Sequence, residues 1–200
     1  MTGIIILAAG SSSRFGSPKQ NLVYQGKTLL QRAIQTSLSS GCCKGVVVVL
    51  GANEELIREN ITDQQAPIVF NPDWKQGMSS SIRIGLIELK RLKPLTTSAI
   101  FMLCDQPFVD PLLLYQLTEK KAENNYGIVA CEYKNILGVP ALFDVKYFTE
   151  LENLKGNEGA KKLISNYPND VMPVPFALGA IDIDTIEDFE YLHHVNQFKQ

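Results

Sequence analysis

Six short apolar runs, at residues 4–7, 46–50, 68–70, 99–103, 128–131 and 171–174, recur from one end of the chain to the other. Most are apolar at every position instead of at alternate ones, the pattern of strands covered on both faces of a parallel sheet. Helical spacing fills the intervals. Leu29, Leu30, Ala33, Ile34 and Leu38 share one face of a helix opened by Thr28. Ile82, Leu86, Leu89 and Leu92 share a face of another, with Ser79, Ser80 and Ser81 as capping candidates. Asp110-Pro111 opens a helix through Leu117, and Asp184-Thr185 opens a last one carrying Ile186, Phe189 and Leu192. This alternation implies βαβ units with right-handed crossovers. The expected fold is α/β: a single-domain, Rossmann-like, mostly parallel sheet with helices on both faces, spanning residues 1–200.

With 200 residues, 45% of them hydrophobic, the chain can bury one well-packed core. Its formal net charge of -2 argues against nucleic-acid binding by bulk charge, so any anionic ligand needs locally placed cations. No apolar run approaches the roughly 18 residues of a membrane span, and residues 4–7 are too short for a secretory leader. The expectation is a cytoplasmic protein with neither a membrane nor a nucleic-acid partner. Cys42, Cys43, Cys104 and Cys131 show no metal-type spacing with His193 and His194, and structural roles are expected for all of them.

Ligands of such sheets gather beyond the carboxyl ends of the strands. The first strand ends in Gly10-Ser11-Ser12-Ser13-Arg14-Phe15-Gly16-Ser17-Pro18-Lys19, small residues followed by two cations. The spacing departs from the G-x-x-x-x-G-K-[S/T] of a P-loop and from the G-x-G-x-x-G of a dinucleotide site. Its physics still suits an anion, because small residues allow close backbone approach and amides with Arg14 and Lys19 supply positive potential. A solvated surface loop is the bland alternative. The third strand ends in Asn71-Pro72-Asp73-Trp74-Lys75-Gln76-Gly77-Met78-Ser79-Ser80-Ser81, and the fourth in Cys104-Asp105-Gln106-Pro107. A carboxylate closing an apolar strand commonly holds a hard cation, so Asp105 is a metal candidate; a cap or turn residue is the alternative. Near the C-terminus, alternation in Ile181-Asp182-Ile183-Asp184-Thr185 puts both aspartates on one face of a short strand, one as a second metal ligand and the other as a cap.

Leu7-Ala8-Ala9-Gly10-Ser11-Ser12-Ser13-Arg14-Phe15-Gly16-Ser17-Pro18-Lys19-Gln20, Gly77-Met78-Ser79-Ser80-Ser81, Asp105-Gln106-Pro107 and Asp182-Ile183-Asp184-Thr185-Ile186-Glu187-Asp188 together resemble the MobA-like nucleotidyltransferase family of molybdenum cofactor guanylyl- and cytidylyltransferases. Ala9 is similar to the cytidylyl branch. Two segments depart from the family pattern: Asn157 stands where an aspartate is usual, and no histidine precedes Pro140.

The resemblance implies the sheet of nucleotide-diphospho-sugar transferases, with an antiparallel excursion in the second half. It also implies CTP and the molybdenum cofactor as substrates, Mg²⁺ as the cation, and possible delivery of the product to a molybdoenzyme. Amides from Ala9 to Ser13 with Arg14 would hold the β- and γ-phosphates. Lys19 would neutralise charge near the α-phosphate. Asp105 with Asp182 (or Asp184 in its place) would hold the metal. Leu7, Ala8, Asn71, Gly77, Met78, Ser79 and Ser80 would complete the nucleotide site, and Pro140 and Lys161 would face the acceptor.

Overall fold

The computed structural model describes residues 1–13, 15–61, 66–183 and 185–197. Arg14 and Asp184, both singled out above, lie outside the described residues. In chain order the elements are β1 (Thr2–Ala8), β2 (Val23–Tyr24), β3 (Lys27–Thr28), α1 (Leu29–Ser39), β4 (Val46–Leu50), α2 (Glu54–Arg58), β5 (Ile68–Phe70), α3 (Met78–Leu92), β6 (Ser98–Leu103) and α4 (Pro111–Glu123). Then follow β7 (Ile128–Tyr133), β8 (Ile136–Asp144), α5 (Phe148–Glu152), α6 (Lys161–Asn166), β9 (Val171–Pro175) and α7 (Ile186–Gln197).

Seven strands form one sheet in the order β5-β4-β1-β6-β8-β7-β9, and β2 pairs β3 in a separate hairpin. Within the seven-stranded sheet β8 runs antiparallel to both its neighbours, while the other pairings are parallel. All six expected strands are present, and the antiparallel member is the excursion the family resemblance implied. The apolar runs have a direct cause. Ile4, Ile6 and Ala8 pack on one face with Leu30, Ile34, Leu114 and Leu117; Ile5 and Leu7 pack on the other with Ile82, Leu86 and Leu89. Neither face meets water, so neither set of alternate positions can be polar.

The helix boundaries follow local chemistry. Thr28 Oγ1 accepts from the Gln31 amide at 3.1 Å while Gln31 Oε1 accepts from the Thr28 amide at 2.9 Å, a reciprocal cap on α1. Asp110 accepts from the Leu113 amide at 2.8 Å with Pro111 following, as expected for α4. Thr185 and Asp188 make a similar reciprocal cap on α7. Two local readings are corrected. Ser79, Ser80 and Ser81 do not cap α3, because the helix already starts at Met78 with Gly77 as its cap. Residues 181–183 form no strand; they cross the carboxyl edge of the sheet, where Ile183 joins Tyr24, Leu29 and Leu192 in a small apolar cluster. Among the described residues no helix is long and apolar enough to cross a membrane.

Candidate active site

A cavity of about 420 Å³ opens at the carboxyl edge of the sheet. One wall is Leu7, Ala8, Ala9, Gly10 and Ser11, running off β1; the opposite wall is Trp74, Lys75, Gly77, Met78 and Ser81, leading into α3. Leu103, Cys104 and Asp105 form its floor at the end of β6, and Lys19, Gln20 and Asn157 complete the lining.

Asp105 is 8% exposed, a carboxylate that needs a cationic or donor partner where it lies. Lys19 supplies one: its ammonium donates to Asp105 Oδ2 and, at 3.3 Å, to the Ile183 carbonyl. The Ile183 amide in turn donates to the Asp105 carbonyl at 3.1 Å. Lys19 is carried by a 3₁₀ turn, Lys19–Asn21, whose first amide donates to Ser12 Oγ at 3.0 Å. Cys104 beside them is buried, and burial with the neighbouring Asp105 charge pushes its thiol up to about 12. That thiol stays protonated near neutrality and is no nucleophile. Burial likewise pushes Cys131 up to about 12. Cys104 and Cys131 therefore act as core residues, as expected. Cys42 and Cys43 are half-buried, with sulfurs 3.3 Å apart, and are not among the residues lining the cavity.

The expected residues divide into those that face the cavity and those that build its walls. Leu7, Ala8, Ala9, Gly10, Ser11, Lys19, Gly77, Met78 and Asp105 line it. Asn71 is buried behind it, its Nδ2 donating to Ser80 Oγ at 2.8 Å and Ser81 Oγ at 2.9 Å. Ser80 donates onward to the Asp73 and Gly77 carbonyls, and Ser79 Oγ donates to the Gly156 carbonyl at 2.8 Å. Those hydroxyls are spent inside the protein. Ser12 braces the loop, and Ser13 is exposed. Asp182 is exposed and does not line the cavity, although its backbone neighbour Ile183 touches Lys19 and Asp105. Pro140 is buried within β8, and Lys161 is exposed at the start of α6.

The segment 156–161 packs on the Gly77 turn through Gly156. The Ser79 amide donates to the Gly156 carbonyl at 3.2 Å, and Asn157 enters the cavity lining. Gly77 has φ +103 and faces Gly156 so closely that no side chain fits there. Gln20, Trp74 and Lys75 stand within stretches read from the sequence but have no individual role there, and Asn157 stands only as a departure from the family pattern. Gln20 is 1% exposed, and its Nε2 donates to the Ala8 carbonyl at 2.8 Å and the Gly10 carbonyl at 3.0 Å.

No group of three or more His, Cys, Asp or Glu side chains converges among the described residues. A hard divalent cation nevertheless suits this donor set. Such ions are commonly held by one or two carboxylates, with substrate phosphates and water filling the other positions. Asp105, on the floor of an open cavity, offers that carboxylate.

The family model for the MobA-like NTP transferase domain matches residues 4–171, and the chain belongs to that family. The chain is 43% identical over 86 residues to nicotine blue oxidoreductase of Paenarthrobacter nicotinovorans, a stretch covering 42% of this chain and 41% of that protein. It is 34% identical over 83 residues to molybdenum cofactor cytidylyltransferase of Escherichia coli K12, covering 41% and 42% respectively. The matched stretch thus spans about two fifths of each curated relative. Among solved structures, Rv0371c of Mycobacterium tuberculosis H37Rv superposes with a TM-score of 0.84 at 29% identity, covering 96% of both chains. A manganese complex of that protein superposes with a TM-score of 0.79 at 27% identity, covering 96% of this chain and 97% of that one.

Proposed function

We propose that the chain transfers the cytidylyl group of CTP to the terminal phosphate of the molybdenum cofactor and releases pyrophosphate. The observation that carries this reading is the meeting of an amide-lined loop, Lys19 and Asp105 around one cavity of about 420 Å³. That combination supplies positive potential for a triphosphate and, beside it, a carboxylate for a divalent ion. Family membership and the similarity to a cytidylyltransferase support the same chemistry.

The attacking phosphate is already an anion near neutrality, so no general base is needed. Catalysis then rests on positioning and charge neutralisation. Backbone amides of residues 9–13, with Arg14, hold the β- and γ-phosphates. Lys19 leaves Asp105 for the phosphates and neutralises the charge that develops at the α-phosphorus. Asp105 would hold the divalent cation, with Asp182 or Asp184 as a companion. When bound, that cation supplies charge neutralisation on the phosphate oxygens. Trp74, Met78 and Asn157 border the space left for the base, and Pro140 and Lys161 belong to the acceptor side. Pyrophosphate release measured with CTP, GTP and ATP in the presence of the pterin acceptor tests the reading. CTP-dependent release is expected, and preference for GTP would replace cytidylyl by guanylyl transfer.

One observation favours a second reading: the 43% identity to nicotine blue oxidoreductase. Oxidation or reduction of nicotine blue, without pyrophosphate release from any nucleotide, would select it.

A further inference from the structure

A loop that holds a polyanion through its N–H groups must keep its carbonyl oxygens turned elsewhere, since each carbonyl aimed at the ligand repels it. The loop after β1 meets this condition in a specific way. The Ala9 carbonyl accepts from the Ala52 amide at 3.1 Å, which ties the loop to the end of β4. The carbonyls on either side of it, Ala8 and Gly10, both accept from the single side-chain nitrogen of Gln20, at 2.8 and 3.0 Å. The remaining oxygen of that amide accepts from Ser12 Oγ at 3.3 Å. Among the described residues, the N–H groups of Gly10, Ser11, Ser12 and Ser13 have no acceptor within the protein. Gln20 holds the Ala8 and Gly10 carbonyls and Ala52 holds that of Ala9, and the amides of residues 10–13 are left for a ligand.

Gln20 is 1% exposed, so its amide has no water to exchange these partners with. It also follows Lys19 in the same 3₁₀ turn, and the Lys19 amide is bonded to the same Ser12 hydroxyl. The side chain that orients the loop therefore fixes the base from which Lys19 reaches Asp105.

We infer that Gln20 is a positioning residue for the triphosphate: it turns the loop's amides toward the cavity and sets Lys19 beside them. The inference rests on the nucleotidyl-transfer reading and adds to it a residue whose side-chain amide is engaged by the loop's own carbonyls. Gln20→Met keeps the size and removes every hydrogen bond. Gln20→Glu keeps the oxygen that faces Ser12 and puts a carboxylate against two carbonyls. Calorimetric titration with inorganic tripolyphosphate and with CTP, each with Mg²⁺ and below the unfolding transition, measures the effect. Binding of both probes is expected to weaken about tenfold or more in Gln20→Met, and further in Gln20→Glu. Should Gln20→Met fail to fold, Gln20→Asn retains an amide of shorter reach, and a smaller loss on the same scale is expected. A merely structural role would lower the melting temperature and leave the dissociation constants of the folded variant within twofold of wild type, which would overturn the inference alone. A wild-type chain that binds neither probe would overturn the nucleotidyl-transfer reading and the inference with it.

Discussion

Asp105 and Asp170 each sit beside a lysine, at opposite edges of the same sheet, and the two pairs are built differently. Asp105 closes β6 at the carboxyl edge, is 8% exposed, and is met by Lys19 from a loop across the cavity. Asp170 precedes β9 at the amino edge and is gripped from several sides. Its Oδ1 accepts from the Gly127 amide at 2.9 Å, and its Oδ2 from Tyr147 Oη at 2.5 Å and Lys146 Nζ at 2.8 Å. A carboxylate satisfied by three donors from two segments of the fold is a fastener, whereas one paired with a long lysine over an open cavity can exchange that partner for a ligand. Asp170 ties β7, β8 and β9 together; Asp105 is poised to be used.

Breaking the two aspartates separately should divide activity from stability. Asp105→Asn is the largest expected effect, a loss of about 10²- to 10³-fold in turnover with a melting temperature close to wild type. Wild-type-like turnover would remove Asp105 from the chemistry. Lys19→Met should cost turnover more than CTP affinity, by about 10²-fold, and should also expose Asp105. Mn²⁺ binding without nucleotide, followed by electron paramagnetic resonance, is therefore expected to tighten in this variant, and unchanged Mn²⁺ binding would show that the lysine does not guard the carboxylate.

On the other side of the comparison, Gly127→Ala would drive a Cβ into Lys146, the Asp170 carboxylate and the Tyr147 ring. Its expected cost is about 1–3 kcal/mol in denaturant unfolding, with turnover per folded molecule unchanged. Asp170→Asn should be milder, and its signature is in pH. Against burial, which pushes it up, the bonds from Lys146, Tyr147 and the Gly127 amide hold the Asp170 carboxyl down at about 2. A depressed carboxyl contributes stability that is complete above its unfolded value near ~3.9 and is lost as the pH falls through about 2. The gap in melting temperature between wild type and Asp170→Asn should therefore narrow from pH 5 to pH 2, within the limits of ordinary acid unfolding. A gap independent of pH would mean that the carboxylate charge is not what matters there.

The same contrast marks how far the sequence could be read. Asp105, Lys19 and the loop after β1 announced themselves because charged and small residues interrupt apolar strands at one edge of a sheet. Asp170 carries no such sign, since its role depends on Gly127 and Tyr147, which reach it only through the pairing of β7 with β8 and β9. β8 itself was hidden because Gly138 and Pro140 interrupt its apolar pattern, and both residues weaken a strand signal. Gln20 was hidden for another reason: it acts on backbone carbonyls, which leave no trace in residue type. Asp182 shows the opposite error, since alternation invited a strand where residues 181–183 merely cross the sheet edge. The caps of α1, α4 and α7 were legible because they are local chemistry within one turn.

Thermal unfolding with each nucleoside triphosphate and Mg²⁺ tests the central claim most directly. A ligand present at about 100 times its dissociation constant stabilises the folded chain by about 2.7 kcal/mol, which shifts melting by several degrees. CTP is expected to give that shift, GTP and ATP a smaller one, and Asp105→Asn is expected to abolish the part that depends on Mg²⁺. An unshifted melting temperature with every triphosphate would contradict the assignment of this cavity to nucleotide transfer.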